Sequence, residues 1–106
     1  MVSYEQITDL LRQTGLPFAY HHFSEGESPA PPFLVYLTPG SHNFSADGMV
    51  YYRADQLDIE LYTDKKQPEH EAKLEEIFDE AGLFYNKTER FIQSEQLYEV
   101  LYEMEV

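Results

Sequence analysis

Residues 56–63 read Gln-Leu-Asp-Ile-Glu-Leu-Tyr-Thr, and they are the stretch from which the fold is best predicted. Apolar side chains at positions 57, 59 and 61 alternate with Asp58, Glu60 and Tyr62. A period of two is typical of a β-strand with one buried and one wet face. The sequence therefore predicts a strand here, with its leucines and isoleucine directed into the core.

A helix is predicted directly after this strand, over residues 68–81. Leu74, Ile77, Phe78 and Ala81 recur at helical spacing, which gives an apolar stripe able to cover the apolar face of the strand. A proline at the start suits the first helical position, and the glycine that follows suits a helix end. We expect the rest of the chain to pack around this strand and helix.

Another helix is predicted over residues 3–14. Ser3 and Gln6 have the spacing of a capping box, in which each side chain satisfies a backbone N–H of the other residue. Gly15 follows where a C-terminal cap is expected, and Pro17 prevents continuation of the helix. Both ends of this helix are therefore signalled by the sequence.

Further strands are predicted around the two helices. They cover residues 18–23, 33–37, 49–53 and 97–106, and a less regular pairing segment at 83–93 that is broken by a turn at Asn86 and Lys87. Residues 40–48 are rich in turn formers, and the strands at 49–53 and 56–63 are expected to form a meander around positions 54–55, with a bulge there as the alternative to a turn. For the last segment a helix is the competing prediction, because its apolar residues also fit a period near 3.6.

Together these elements predict an α+β fold. We expect one domain over residues 1–106, with a mainly antiparallel sheet, two helices packed on one face and the order α-β-β-β-β-α-β-β. The chain has 106 residues and no cysteine, so disulfides and cysteine-based metal or redox sites are excluded.

Charge and hydropathy exclude several classes of function. Twenty acidic against seven basic residues give a net charge of −13, and such a surface repels nucleic-acid phosphates. No apolar stretch approaches the roughly 20 residues of a membrane helix, and no signal peptide is visible. We therefore expect a soluble protein that acts inside the cell that makes it, without sequence-specific nucleic-acid binding or membrane insertion.

Candidate metal and catalytic groups are weak. His21 and His22 with Glu25 or Glu27 suggest a metal site, but adjacent residues of a strand point to opposite faces and do not easily share one ion. His42 and His70 have no second ligand at metal spacing. We expect no metal and no cofactor.

Paired carboxylates in the second helix, at 75–76 and 79–80, are expected on its wet face as a solvated surface. No phosphate-binding loop, nucleophile elbow or HExxH motif is present. The sequence thus predicts that the protein is not an enzyme.

Two surface features have open interpretations. Five strand tyrosines suit either a binding surface or ordinary packing on a sheet, since tyrosine is favoured in both; they are Tyr51, Tyr52, Tyr62, Tyr98 and Tyr102. The alternating acids of the last strand are interpreted as protection of a sheet edge in preference to a ligand site.

Six segments of the sequence resemble a family of small prophage proteins from Gram-positive bacteria, which are encoded among head–tail joining and tail genes. They include Thr-Gly-Leu-Pro-Phe-Ala-Tyr-His-His-Phe at 14–23, Pro-Pro-Phe-Leu-Val-Tyr at 31–36 and Ile-Glu-Leu-Tyr-Thr-Asp-Lys-Lys at 59–66. The others are 4–8, 43–48 and 98–104. The resemblance covers nearly the whole chain, but its motifs mark a fold and no catalytic site.

The order of elements is also similar to that of the tail terminator proteins of long-tailed phages, including the lambda-type terminator. That resemblance implies a hexameric ring that caps the tail tube, stops its growth and offers a surface to the head. The implied partners are further copies of the chain, the major tail tube protein and a head-closure or connector protein. The implied location is the host cytoplasm during assembly and then the head–tail junction of the virion, with a monomer possible before assembly.

Under this interpretation, the acidic residues and two loops acquire roles in the ring. Negative walls around a channel would not hold passing DNA. The candidates for such a lumen are Glu75, Glu76, Asp79 and Glu80, or Glu99, Glu103 and Glu105. Contacts with a neighbouring subunit or the tube are expected in the loops 24–32 and 40–48, at Glu25, Glu27, Pro31, Asn43 and Asp47.

Two other hypotheses remain open from the sequence. An acidic DNA mimic that inhibits a DNA-binding host protein would explain the net charge directly, but it predicts no ring. A head-closure or connector protein would place the chain elsewhere in the virion, and fold alone does not separate that role from a terminator.

Overall fold

The computed structural model describes residues 3–41, 44–46, 49–52 and 54–106, with the backbone alone between positions 42 and 53. The elements are α1 (Tyr4–Arg12), β1 (Phe18–Tyr20), β2 (Phe33–Leu37), β3 (Phe44–Ala46), β4 (Met49–Tyr52), β5 (Gln56–Thr63), α2 (Pro68–Glu80), β6 (Tyr85–Ile92) and β7 (Leu97–Glu105). The predicted α+β class is confirmed, and β3 adds a short strand within a segment that was predicted as a turn.

The main sheet has five strands in the order β1-β2-β5-β7-β6, and β3 and β4 form a separate two-stranded sheet. The predicted meander is therefore wrong, because β4 pairs with β3 while β5 pairs with β2 and β7. Leu57, Ile59 and Leu61 are each 1% exposed. β5 is the middle strand of the sheet and its apolar face lies under the helices, which accounts for this complete burial.

The sheet is antiparallel except at one edge, where β1 runs parallel to β2. Parallel neighbours cannot be joined by a tight hairpin and require a longer crossover connection. Residues 21–32 provide it, which explains why the proline-rich segment predicted as a loop is long.

Both helices pack on the same face of the sheet, as predicted. Ile7 and Leu11 of α1 and Leu74 and Phe78 of α2 belong to a single buried cluster. The strand residues of this cluster lie on one side of the sheet by their register, and they are Leu34, Tyr36, Leu57, Ile59, Leu61, Val100, Tyr102 and Met104. The opposite face of the sheet carries neither helix.

The helix ends follow the sequence signals closely. Gln6 donates its backbone N–H to the Ser3 hydroxyl, and Ser3 donates its own to the Gln6 side chain, so the predicted capping box is confirmed. At the end of α2, Gly82 has φ +71°, and Leu83 N–H donates to the Phe78 carbonyl at 2.9 Å. A positive φ at this position is what a glycine permits.

The C-terminal half of the sheet is a long β6–β7 hairpin. The strand at 97–106 is confirmed against its helical alternative. The predicted turn at Asn86 and Lys87 is wrong, since both residues pair with β7 inside a continuous β6. β6 is mostly exposed and therefore tolerates such polar residues. The edge-protection interpretation of the β7 acids is also wrong, because β7 lies between β5 and β6.

Candidate interaction surfaces

The sheet face without helices, here called the open face, is the first candidate surface. Its register places side chains in two rows across β2, β5, β7 and β6, which are Phe33, Tyr62, Glu99 and Arg90 in one row and Val35, Glu60, Leu101 and Thr88 in the other. The Phe33 and Tyr62 rings stack with their centroids 5.2 Å apart. The charged Glu99 and Arg90 thus continue the row that begins with the aromatic pair.

Glu99 is the centre of the charged part of the open face. Its side chain is only 4% exposed, yet Arg90 reaches one carboxylate oxygen with Nη2 at 2.9 Å and Nε at 3.2 Å. The Tyr62 hydroxyl donates to the same oxygen at 3.2 Å. A buried carboxylate needs such partners, because an unpaired charge at low dielectric is strongly unfavourable. Arg90 itself remains 70% exposed and accessible from solvent.

Glu60 differs from Glu99 although the two share a partner. The Tyr62 hydroxyl also donates to Glu60 Oε1 at 2.9 Å, so a single proton serves two carboxylates. Burial raises the pKa of Glu60, with a smaller contribution from the negative charge of Glu99. Burial and the hydrogen bonds to the two carboxylates raise the pKa of Tyr62, which keeps the phenol protonated as a donor.

A shallow cavity of about 470 Å³ opens over this group. Its lining consists of Glu60, Thr88, Glu89, Arg90, Glu99 and Leu101. The sequence analysis did not identify Glu60, Tyr62 and Arg90 as a group. Alternation along β5 places Glu60 and Tyr62 on one face, but the register that brings Arg90 opposite Glu99 has no local signal.

A second charged cluster, here called the α2 cluster, ties the helix to the sheet on the other face. Lys87 of β6 contacts Glu71 at 2.8 Å and Glu75 at 2.9 Å, and Lys66 contacts Glu71 at 2.6 Å. Lys66 also pairs with Glu89. These ion pairs link α2, the segment before it and the edge strand.

Two tyrosine hydroxyls complete the α2 cluster. The Tyr102 hydroxyl donates to Glu75 at 2.9 Å, and the Tyr85 hydroxyl donates to the same carboxylate at 3.3 Å. Burial acts to raise the pKa of both Glu71 and Glu75. For Glu71 the hydrogen bonds from Lys66 and Lys87 outweigh burial, and the pKa is lowered. For Glu75 the hydrogen bonds from Lys87 and Tyr102 do the same. The two carboxylates are therefore held ionised, as a structural ion-pair network.

The predicted lumen acids fall into distinct environments. Glu75 was predicted on the wet face of α2 and is instead partly buried among its lysine and tyrosine partners, because α2 lies close to β6 and β7. Glu76, Asp79 and Glu80 are exposed. Glu99 is buried beneath Arg90.

The two alternative sets of lumen acids therefore lie on opposite sides of the protein. The exposed acids of α2 face solvent on the side of the protein that carries the helices, whereas Glu103 and Glu105 of β7 share the side of the open face with Glu99. One surface cannot include both sets. That either set lines a channel stays a prediction.

The predicted loop contacts are partly described. Glu25 and Glu27 are exposed and Pro31 is half-buried. The Phe23 ring, at the start of this loop, packs edge-on against Phe33 with centroids 5.3 Å apart, which places the loop beside the open face. Asn43 and Asp47 lie outside the described residues.

The two adjacent histidines do not follow the geometry expected from a strand. β1 ends at Tyr20, and His21 has φ +65°. As a result, the His21 and His22 Nδ1 atoms lie 3.0 Å apart, in contrast to the predicted opposite directions. Within the described part of the chain, no group of three or more His, Cys, Asp or Glu residues is placed to hold a metal ion.

Comparison with known proteins adds no identification: no protein-family model matches the sequence, and no curated protein matches it. Among the described residues, no helix is both long and apolar enough to cross a membrane.

Proposed function

We propose that this protein is a phage assembly protein, a tail terminator or head–tail joining component whose copies form a ring on the tail tube. The proposal starts from the six sequence segments that resemble small prophage tail proteins. The confirmed α+β class, with both helices on one face of a mostly antiparallel sheet, is compatible with it.

The observation that carries the proposal is the open face. A sheet normally buries one face against helices and leaves the other to solvent or to a partner. Here the side without helices combines the half-buried Tyr62 and Leu101 with a desolvated charge pair under the exposed Arg90, while Phe33, stacked on Tyr62, is itself buried under Phe23 of the loop. Aromatic residues and arginine are the residue types enriched where protein surfaces meet.

A ring also needs two different patches on each subunit, because neighbours in a ring meet head-to-tail. The open face and the helix-covered face differ in this way. The former presents the exposed Arg90 beside the half-buried Glu60, Tyr62 and Leu101, and the side of the helices presents the exposed acids of α2. The loop at 21–32 adjoins the open face through Phe23 and would extend the first of these patches.

The experiment that tests this function is deletion of the gene from an inducible prophage, followed by negative-stain electron microscopy of the lysate. Filled heads beside detached, over-long or irregular tails are expected for a tail terminator. Leaky heads with tails of normal length would assign the protein to head closure. Normal particles would overturn both roles and favour the DNA-mimic hypothesis, for which binding of a host DNA-binding protein is then the direct assay.

Charge reversal in the loop sharpens the same experiment. We expect the double variant Glu25→Lys/Glu27→Lys to fold normally, since both side chains are exposed, and to reduce the yield of tailed particles in complementation. Glu95→Lys, at an exposed turn position between β6 and β7, is the matched control. Full complementation by the loop variant would exclude this segment from the contact.

A further inference from the structure

We propose that His21 and His22 form a binding site for one late first-row divalent metal ion, Cu²⁺ in preference to Ni²⁺ or Zn²⁺. The site is independent of the proposed role in phage assembly. It rests on the backbone turn that ends β1 and on the contact between the two imidazole rings.

The turn brings the two rings together. His21 N–H donates to the Tyr36 carbonyl at 2.8 Å and so extends the pairing of β1 with β2 by one residue. His22 N–H then donates back to the Tyr20 carbonyl at 2.7 Å, which closes a three-residue turn around His21. With φ +65° at its central residue, this is the uncommon, strained form of γ-turn. Strain of this kind is concentrated at functional positions.

The spacing of the ring nitrogens suits a shared ion. Two nitrogens that bind one ion at about 2.0–2.1 Å lie about 2.9 Å apart at a right angle and about 3.3–3.4 Å apart at a tetrahedral angle. The observed separation of the two Nδ1 atoms is 3.0 Å. This is the length of the hydrogen bond that the two atoms form, and it is also the spacing that a square-planar or tetragonal ion such as Cu²⁺ or Ni²⁺ requires at a right angle. Binding therefore needs each ring to turn its Nδ1 lone pair from the other ring towards the ion but not to move apart. Cu²⁺ also binds nitrogen ligands most tightly in this series.

The proton balance is simple. The Nδ1–Nδ1 hydrogen bond requires one proton between the two atoms, whereas a bound ion needs the lone pair of both. The proton therefore moves to Nε2 of the same imidazole, with no net release. Both histidines are exposed, so the new Nε2–H donates to water. Water molecules fill the coordination positions of the ion that the two imidazoles do not occupy.

Titration of the full-length protein with Cu²⁺, followed by calorimetry and electron paramagnetic resonance, tests this site. We expect one ion per chain, with two imidazole nitrogens in its spectrum. His21→Asn, which tolerates a positive φ, and His22→Gln should each weaken binding at least about tenfold, since the second imidazole acts as an intramolecular ligand. His70→Gln, at the start of α2, is the matched control and should bind Cu²⁺ like the unmodified chain.

A blocked peptide of residues 18–25 distinguishes a built site from any pair of adjacent histidines. The folded protein should bind Cu²⁺ about tenfold more tightly than the peptide, because its turn is already formed. Equal affinity of peptide and protein would overturn the proposal, as would unchanged binding by both the His21 and His22 variants.

Discussion

The open face and the α2 cluster contain similar chemical groups that are paired differently. In the α2 cluster, Glu71 and Glu75 meet two lysines and two tyrosine hydroxyls, and both carboxylates are held ionised. On the open face, Glu60 and Glu99 share one arginine and one tyrosine hydroxyl. With Glu89, which pairs with Lys66, the α2 cluster has three carboxylates and two lysines, and the open-face group has two carboxylates and one arginine, so each has one negative charge in excess. In the α2 cluster every carboxylate has a lysine partner, and the ion pairs join a helix to the sheet. On the open face Glu60 accepts from the Tyr62 hydroxyl and forms no ion pair with a described residue, and Arg90 is 70% exposed, which suits an interaction site better than a structural role.

The largest expected difference between the two sides is in packing. Phe78 is fully buried and contacts the Tyr85 and Tyr102 rings, so Phe78→Ala should lower the free energy of unfolding by about 3–5 kcal/mol. Leu101→Ala on the open face should lower it by about 1–2 kcal/mol, because Leu101 is only half-buried. Urea denaturation of both variants measures the difference. Equal losses would mean that the open face is as tightly packed as the core.

Removing a lysine tests the α2 cluster itself. Lys87→Met should lower the free energy of unfolding by about 1–2 kcal/mol, since it leaves Glu71 and Glu75 with fewer partners but does not bury a bare charge completely. Adding Glu75→Gln should recover part of that loss, because it removes one of the two carboxylates. Lys73→Met is the control, since Lys73 is exposed and forms no ion pair with any described residue. An equal loss in the control would contradict the structural role of the cluster.

The two regions should also respond to pH with opposite sign. The pKa of Glu71 is lowered from its ordinary 4.5, so its contribution to stability is present above pH 4.5 and is lost as the pH falls through the folded-state pKa. The pKa of Glu60 is raised from 4.5, so its contribution is present below pH 4.5 and is lost as the pH rises through the folded-state pKa.

Substitution of each carboxylate isolates these effects. At neutral pH, Glu71→Gln should destabilise the protein, whereas Glu60→Gln should leave it equally stable or more stable by up to about 1 kcal/mol. Denaturation curves from about pH 3 to pH 7 should show the two variants diverging from the unmodified chain in opposite directions. Destabilisation by Glu60→Gln across the whole range would show that ionised Glu60 is a structural partner of Tyr62.

The smallest expected change in stability comes from two acids outside both charged groups, the exposed Glu76 of α2 and the half-buried Glu103 of β7. Glu76→Gln and Glu103→Gln should each change the free energy of unfolding by no more than about 0.5 kcal/mol, as is usual where a side chain has no specific buried partner. Their value lies in complementation of the deletion, because they neutralise opposite sides of the protein. A complementation defect with one variant alone would identify the side of the protein that makes contacts in the particle. Full complementation by both variants would show that neither single charge is required for assembly.

Local patterns in the sequence predicted the elements well where burial is periodic. The alternation in β5 and β7, the apolar stripe of α2 and the capping box at Ser3 all involve neighbours within a few residues, so the sequence contains the information directly. The turn predicted at Asn86 and Lys87 failed because an exposed strand accepts residues that elsewhere favour turns.

The candidate surfaces were harder to predict because they depend on pairing between distant segments. Arg90 lies beside Glu99 through the β6–β7 register, and Glu75 loses its exposure because Lys87 and Tyr102 come from those strands. The geometry of the two histidines depends on one positive φ at a residue other than glycine, for which the sequence has no signal.

The strand order has a consequence for how the chain reaches its native state. β6 and β7 are joined by a short turn, so their pairing is local. β5 and β7 are separated in the chain by α2 and β6, so their pairing must close a long loop. Contacts between distant segments are slow to form because closing a long loop is entropically unfavourable. We therefore expect the β6–β7 hairpin to gain protection from hydrogen exchange early in refolding, and the central β5–β7 pairing to be acquired in the step that limits the rate.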